Sequence, residues 1–117
     1  MPSNNKSKTE LGRIGEQIAS NYLINKGYQI HIQNYRYKRD EIDIIAQFQN
    51  LLVFVEVKSR KNNFFGNPEE AVSNTKAANI IRASQNYLQE INWQKDIRFD
   101  IIAITGNEIM HFEDAFY

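Results

Sequence analysis

The sequence predicts an α/β fold in the order αβββαββ, a central mixed five-stranded sheet flanked by helices. Three observations carry this reading. Two stretches repeat apolar residues at helical spacing, five shorter stretches are rich in Ile, Val and Phe or alternate apolar with polar residues, and turn residues separate them. The chain has 117 residues, 42% of them hydrophobic and 24% charged, with five Gly and two Pro, enough for one core. Residues 1–7 read as a flexible tail and 8–117 as one domain, because no repeat, low-complexity tract or internal linker interrupts them.

Ser7-Lys-Thr-Glu10 fits a capping box, and Leu11, Ile14, Ile18 and Tyr22, with Ala19 and Leu23, form an apolar stripe that ends near Lys26 with Gly27 as C-terminal cap. Tyr28, Ile30 and Ile32 alternate with Gln29, His31 and Gln33, the pattern of a strand with one wet face. Glu41 to Gln47 and Leu51 to Ser59 read as a hairpin around Phe48-Gln49-Asn50. Asn67-Pro-Glu-Glu70 supplies start signals for a long second helix whose stripe is Ala77, Ile80, Ile81, Ser84, Tyr87, Leu88 and Ile91. Asp96 to Ile104 reads as the fourth strand, and Thr105-Gly-Asn107 turns the chain into a fifth, Glu108 to Phe112.

Composition narrows the chemistry. Cys is absent, which excludes disulfides, thiolate nucleophiles and Cys-based zinc sites and leaves His31 and His111 as the imidazoles, both read as structural or surface residues. No apolar run is long enough for a membrane helix and no secretory signal opens the chain, so a cytoplasmic protein without membrane association is expected. Net charge is zero, but residues 1–61 hold ten Lys/Arg against six Asp/Glu and residues 62–117 hold four against eight. The basic half is where a polyanion would dock, unless the two halves simply attract each other in the fold.

Two acids stand where strands are most apolar. Glu56 lies within Val53-Phe-Val-Glu-Val-Lys58 and Asp43 within Glu41-Ile-Asp-Ile-Ile45. A carboxylate removed from water costs several kcal/mol unless it is paired or binds a metal. With a two-residue loop, Phe48 faces Leu51, so Asp43 faces Glu56 and Glu41 faces Lys58; a four-residue loop keeps the faces and a three-residue loop separates them. In the even register the carboxylates lie about 5 Å apart at Cβ or sit diagonally, and they repel unless a cation sits between them. Oxygen donors without Cys favour Mg²⁺ or Mn²⁺. Lys58, two residues beyond Glu56, projects from the same face. Glu56 with Lys58 alone reads as an ion pair at a sheet edge; Asp43 at matching parity makes the trio read as a metal site with a catalytic lysine.

Asp43 followed by Glu56-Val57-Lys58 also resembles the PD-(D/E)xK signature of restriction-endonuclease-like nucleases. More specifically, Gly12-Arg-Ile-Gly-Glu16, Asn34-Tyr-Arg36, Glu41-Ile-Asp-Ile-Ile45, Val53-Phe-Val-Glu-Val-Lys-Ser-Arg60, Phe65-Gly66 and Arg98-Phe-Asp100 together look like the YraN family of small bacterial proteins, over about residues 9 to 104. That family is assigned to the nuclease superfold and is most similar to archaeal Holliday-junction resolvases. The resemblance implies a single-domain restriction-endonuclease-like fold, Asp43 and Glu56 as metal ligands, Lys58 as the catalytic lysine and Glu16 as completing the acidic cluster. One departure is that Asp40 stands where the family usually has Gly.

Gly12 and Gly15 in one helical turn each cost up to about 1 kcal/mol relative to Ala, which suggests close approach of a backbone or a substrate. Tyr35-Arg-Tyr-Lys-Arg39 interleaves rings with cations, so Tyr35, Arg36, Lys38 and Arg39 are candidates for nucleic-acid contact, unless the stretch is only a solvated connection. Arg60 joins them at the start of a loop whose Phe64 either enters distorted DNA or pins the loop to the core. The expected function is Mg²⁺- or Mn²⁺-dependent hydrolysis of DNA phosphodiesters, at branched or structured DNA. The alternatives are a non-catalytic nucleic-acid-binding module of nuclease fold and a structural interaction protein. Symmetric cutting of both strands needs two active sites, so the resolvase analogy implies a homodimer.

Overall fold

The computed structural model describes residues 10–60 and 72–116, and over them the elements follow in the order α1 (Glu10–Asn25), β1 (Gln29–Tyr37), β2 (Asp40–Phe48), β3 (Leu51–Arg60), α2 (Asn74–Glu90), β4 (Asp96–Thr105) and β5 (Glu108–Phe112). This is the predicted order. The five strands lie side by side in chain order, antiparallel except for β3 with β4, which run parallel because α2 carries the chain back between them. The sheet is therefore mixed, with α1 on one face and α2 on the other.

Alternation along β3 assigns the two cores. Val53 and Val55 join Ala19, Leu23, Ile44, Ala46, Ile102 and Ile104 under α1, whereas Leu52 and Phe54 join Ile42, Ile45, Ile80, Ala83, Tyr87 and Phe99 under α2. Continued by two more residues, the alternation gives the α1 side to Val57 and the α2 side to Glu56 and Lys58. The predicted stripe of α1 is rotated in the structure. Gly15, Glu16, Ala19, Ser20 and Leu23 form its buried line, while Leu11 and Ile14 stay largely exposed. Small residues permit this: a Cβ on Gly15 would lie 1.9 Å from Ser59 Oγ, so the helix meets the Ser59 side chain of β3 with no room for a side chain of its own.

The predicted stop of α1 is a Schellman arrangement. Tyr28 N–H donates to Leu23 O at 2.9 Å and Gly27 N–H to Ile24 O at 3.0 Å, with Gly27 at φ 99°. The predicted alternation of β1 fails beyond Ile30, where the register against β2 shifts. Ile32 is consequently 38% exposed, and His31 turns inward to lie 2.7 Å from the Tyr87 hydroxyl and 2.8 Å from Gln47 Oε1. β1 also runs further than the alternation suggests, taking in Tyr35, Arg36 and Tyr37. The start of α2 is set by Ser73, whose Oγ accepts from Lys76 N–H at 3.1 Å. The tail 1–7, Ser7 of the capping box, Phe64, Phe65-Gly66 and Asn67 to Glu70 lie outside the described residues. No described helix is long and apolar enough to cross a membrane.

Candidate functional site

The β2–β3 hairpin turns through Gln49 and Asn50, with Phe48 opposite Leu51 and Ile44 opposite Val55. This is the even register. The ladder stops there, one step short of Asp43 and Glu56. Asp43 Oδ2 instead accepts from Val57 N–H at 2.8 Å, so a side-chain carboxylate takes over the acceptor role that the neighbouring strand no longer supplies. Alternation breaks at the same point: Ile42 and Ile45, three apart, share the α2 core, and Asn34 of β1 lies between the pairs Gln33 with Ile44 and Tyr35 with Ile42 at φ 56°. Asn tolerates that left-handed conformation better than most residues.

At this end of the sheet a cavity of about 340 Å³ is lined by Leu11, Gly12 and Glu16 of α1, Asp43 of β2, Glu56 to Arg60 of β3 and Lys76 of α2. Both helices contribute their N-terminal portions. Glu56 is only 3% exposed, and burial together with the charge of Asp43 raises its carboxyl above the ordinary glutamate range. Lys76 and Lys58 pull it back. Lys76 Nζ lies 3.2 Å and Lys58 Nζ 3.3 Å from the same oxygen, Glu56 Oε2. Glu41, which the even register sets opposite Lys58, has the Arg36 guanidinium 3.9 Å away.

The donors present suit a hard divalent cation. Asp43 and Glu56 supply carboxylate oxygens from adjacent strands, Glu16 supplies a third acid in the same wall, and Mg²⁺ commonly takes only one or two carboxylates and keeps its waters. Among the described residues, however, no group of three or more acids or imidazoles stands close enough together to hold a metal ion. Glu16 thus shares the cavity without completing a three-acid cluster. Lys76 was invisible to pattern reading along strands, because it comes from a different element. The sequence offers no signal for it, because the start signals at Asn67 to Glu70 place Lys76 beyond a first turn; only the structure, in which α2 begins at Asn74, puts this cation in the first turn, where the helix dipole disfavours it.

β1 and β3 run in the same direction, so Arg36, Lys38 and Arg39 gather at the end of the sheet where the cavity opens. Arg36 is exposed, Lys38 occupies a turn at φ 57° with its ammonium 5.3 Å from the Tyr37 ring centroid, and Arg60 lines the cavity itself. Tyr35 does not join them, a correction to the expected nucleic-acid contact. It is 7% exposed, its hydroxyl accepts from Asn86 Nδ2 at 2.6 Å and its ring packs edge-on against Tyr87, so its face is spent in the core. Asp40 is also accounted for by the fold: Arg82 of α2 donates to its carboxylate at 3.0 Å, which neutralises the extra acid before it reaches the cavity.

A third acid in an apolar strand has a different fate. Asp100 of β4 is fully buried, held by Arg98 through two bonds of 2.8 Å, by His111 at 2.7 Å and by the N–H of Asp114 at 3.0 Å. Burial alone would raise its carboxyl, but the bonds from His111, Arg98 and Asp114 outweigh burial and hold it below the usual range. His111 thereby ties β5 to β4, the structural role expected of it.

Known proteins resemble this chain over nearly its whole length. The model of a family described as "Uncharacterised protein family UPF0102" matches residues 15–104, which include Glu16, Asp43, Glu56, Lys58 and Lys76. A UPF0102 protein of Natranaerobius thermophilus is 49% identical over 97% of this chain and 99% of its own length. One of Chlorobium chlorochromatii is 45% identical over 95% and 94%, and one of Phocaeicola vulgatus 44% over 92% and 93%.

Proposed function

We propose that this chain, which belongs to the UPF0102 or YraN family, is a divalent-metal-dependent nuclease acting on DNA phosphodiesters, with branched or otherwise structured DNA as its substrate class. The observation that carries the reading is the convergence of Asp43, Glu56 and Lys58 in one solvent-open cavity at the basic end of the sheet. Asp43 and Glu56 would hold Mg²⁺ or Mn²⁺, with Glu16 beside them. A bound divalent ion supplies Lewis acidity and makes water a better nucleophile near neutral pH.

The protein's own groups do the rest. Glu56 is kept in place by its strand, buried, with Lys58 and Lys76 both on its Oε2. Lys58, projecting two residues further along β3, presents an ammonium where charge develops on a phosphoryl oxygen and can also orient the attacking water. Arg60 at the cavity wall and Arg36, Lys38 and Arg39 at the sheet end hold backbone phosphates in register. If the resolvase analogy extends to assembly, a two-fold dimer brings two such cavities to one junction.

Incubation of the purified protein with supercoiled, linear and four-way-junction DNA, each with and without Mg²⁺ or Mn²⁺, tests this directly. Cleavage only with metal is expected. A second reading, a nucleic-acid-binding module without catalysis, is favoured by the two lysines that already occupy Glu56. Junction binding without cleavage under any metal would establish that reading instead.

A further inference from the structure

Lys76 stands where helix electrostatics disfavours a cation. The first turn of a helix favours acids, yet the first turn of α2 contains no acid and does contain Lys76. Its backbone is fixed, because Ser73 Oγ accepts from its N–H at the cap. From that fixed point the side chain reaches across to Glu56 Oε2 at 3.2 Å, the oxygen that Lys58 already contacts at 3.3 Å. Both ammoniums contact Glu56, while Asp43 accepts from Val57 N–H. Glu56 is therefore already paired by the protein itself, and a divalent ion added to that arrangement would meet two positive charges at one of its own ligands.

The two lysines are not equally held. Lys58 rises from the interior of β3 with its side chain 19% exposed, whereas the Lys76 side chain is 45% exposed and leaves from a helix end at the cavity rim. A half-exposed ammonium returns to water at little cost, because most of its hydration is already present. Lys58 has no comparable retreat. We propose that Lys76 is the resident counter-ion of the metal-free site, displaced from Glu56 when a divalent cation binds there and Asp43, while Lys58 stays. This rests on the metal-site reading above and adds an exchange of cations to it: the site is stabilised when empty and opens a positive charge toward the cavity mouth when filled.

Lysine side-chain NMR of the full chain carrying ¹³C at lysine Cε, titrated with Mg²⁺, reads the exchange without altering any residue. The Lys76 signal, identified by its absence from Lys76→Met, is expected to move to the position and narrow line of a solvated lysine at saturation, with that of Lys58 remaining distinct. In calorimetry with Mn²⁺, K76M is expected to bind about two- to fivefold more tightly than wild type, the range a part-exposed ion pair is worth. Metal binding by wild type with the Lys76 signal unmoved, or equal or weaker Mn²⁺ binding by K76M, overturns the counter-ion role and leaves the metal site standing. If neither protein binds Mn²⁺ or Mg²⁺, the metal site itself is wrong and the exchange falls with it.

Discussion

Glu56 and Lys58 are two residues apart on one strand and are expected to fail in different ways. Lys58→Ala removes an ammonium but no ligand oxygen, so turnover of a cleavable DNA should drop by about 10²-fold or more while Mn²⁺ binding persists, checked by single-turnover cleavage beside calorimetry. Unchanged turnover would remove Lys58 from the chemistry. Glu56→Gln should abolish most of the thermal stabilisation by Mn²⁺. Its metal-free stability carries a pH signature. The Glu56 carboxyl titrates above the ordinary glutamate range in the folded protein, so on raising pH the unfolded chain gives up its proton first and wild type loses stability across that interval. The amide has no proton to lose. Melting temperatures in chelator should therefore diverge in favour of E56Q as pH rises through the interval; parallel curves would show that Glu56 is not strained by its surroundings. Asp100 works in the opposite sense, with stability present at neutral pH and lost as pH falls through its lowered value.

The contact between α1 and β3 shows how an element is placed by what is missing. Gly15 lets α1 come down on Ser59, whose Oγ is buried and has no hydrogen-bond partner among the described residues. Gly15→Ala adds a methyl where that oxygen stands, and although Ala is the better helix former by about 1 kcal/mol, overpacking costs about 1–3 kcal/mol. A net loss of about 1 kcal/mol is expected. In a Ser59→Ala background the oxygen is gone, and the same substitution should become close to neutral, a coupling that a double-mutant cycle by chemical denaturation measures. Additive effects would mean that the helix does not bear on Ser59. Gly15 was legible in the sequence as a close approach, but whether the approaching group was a substrate or a strand was not, because spacing along one element does not name its neighbour.

At the scale of the whole molecule, the sheet gathers charge at one end. β1 and β3 point the same way, so Arg36, Lys38 and Arg39 stand at the same end of the sheet as Arg60 and the cavity, although zero net charge conceals them. Arg36→Ala, Lys38→Ala and Arg39→Ala combined should weaken DNA binding across sequences and lower the slope of log affinity against log salt by up to about three, measured by fluorescence anisotropy in Ca²⁺ at several salt concentrations. An unchanged slope would place the phosphates elsewhere. The residual affinity should depend on Arg60 and the cavity lysines.

The order of elements and the candidacy of Asp43, Glu56 and Lys58 were legible in the sequence alone, because period-two alternation along a strand is a local property that carries over directly into faces of a sheet, whereas the parity of the hairpin loop was decided by the structure. The sequence could not rank the acids. Asp100 sits in as apolar a strand as Asp43, yet Arg98 and His111 satisfy it completely, whereas Glu56 and Asp43 share a cavity at the end of a ladder. Nor could it see that Tyr35 turns into the core, that Asp40 meets Arg82, or that Lys76 reaches Glu56. Those contacts join residues 20 to 52 positions apart on different elements. They exist only once α2 is laid against β1, β2 and β3, and a buried charge takes its chemistry from the partner that packing brings to it.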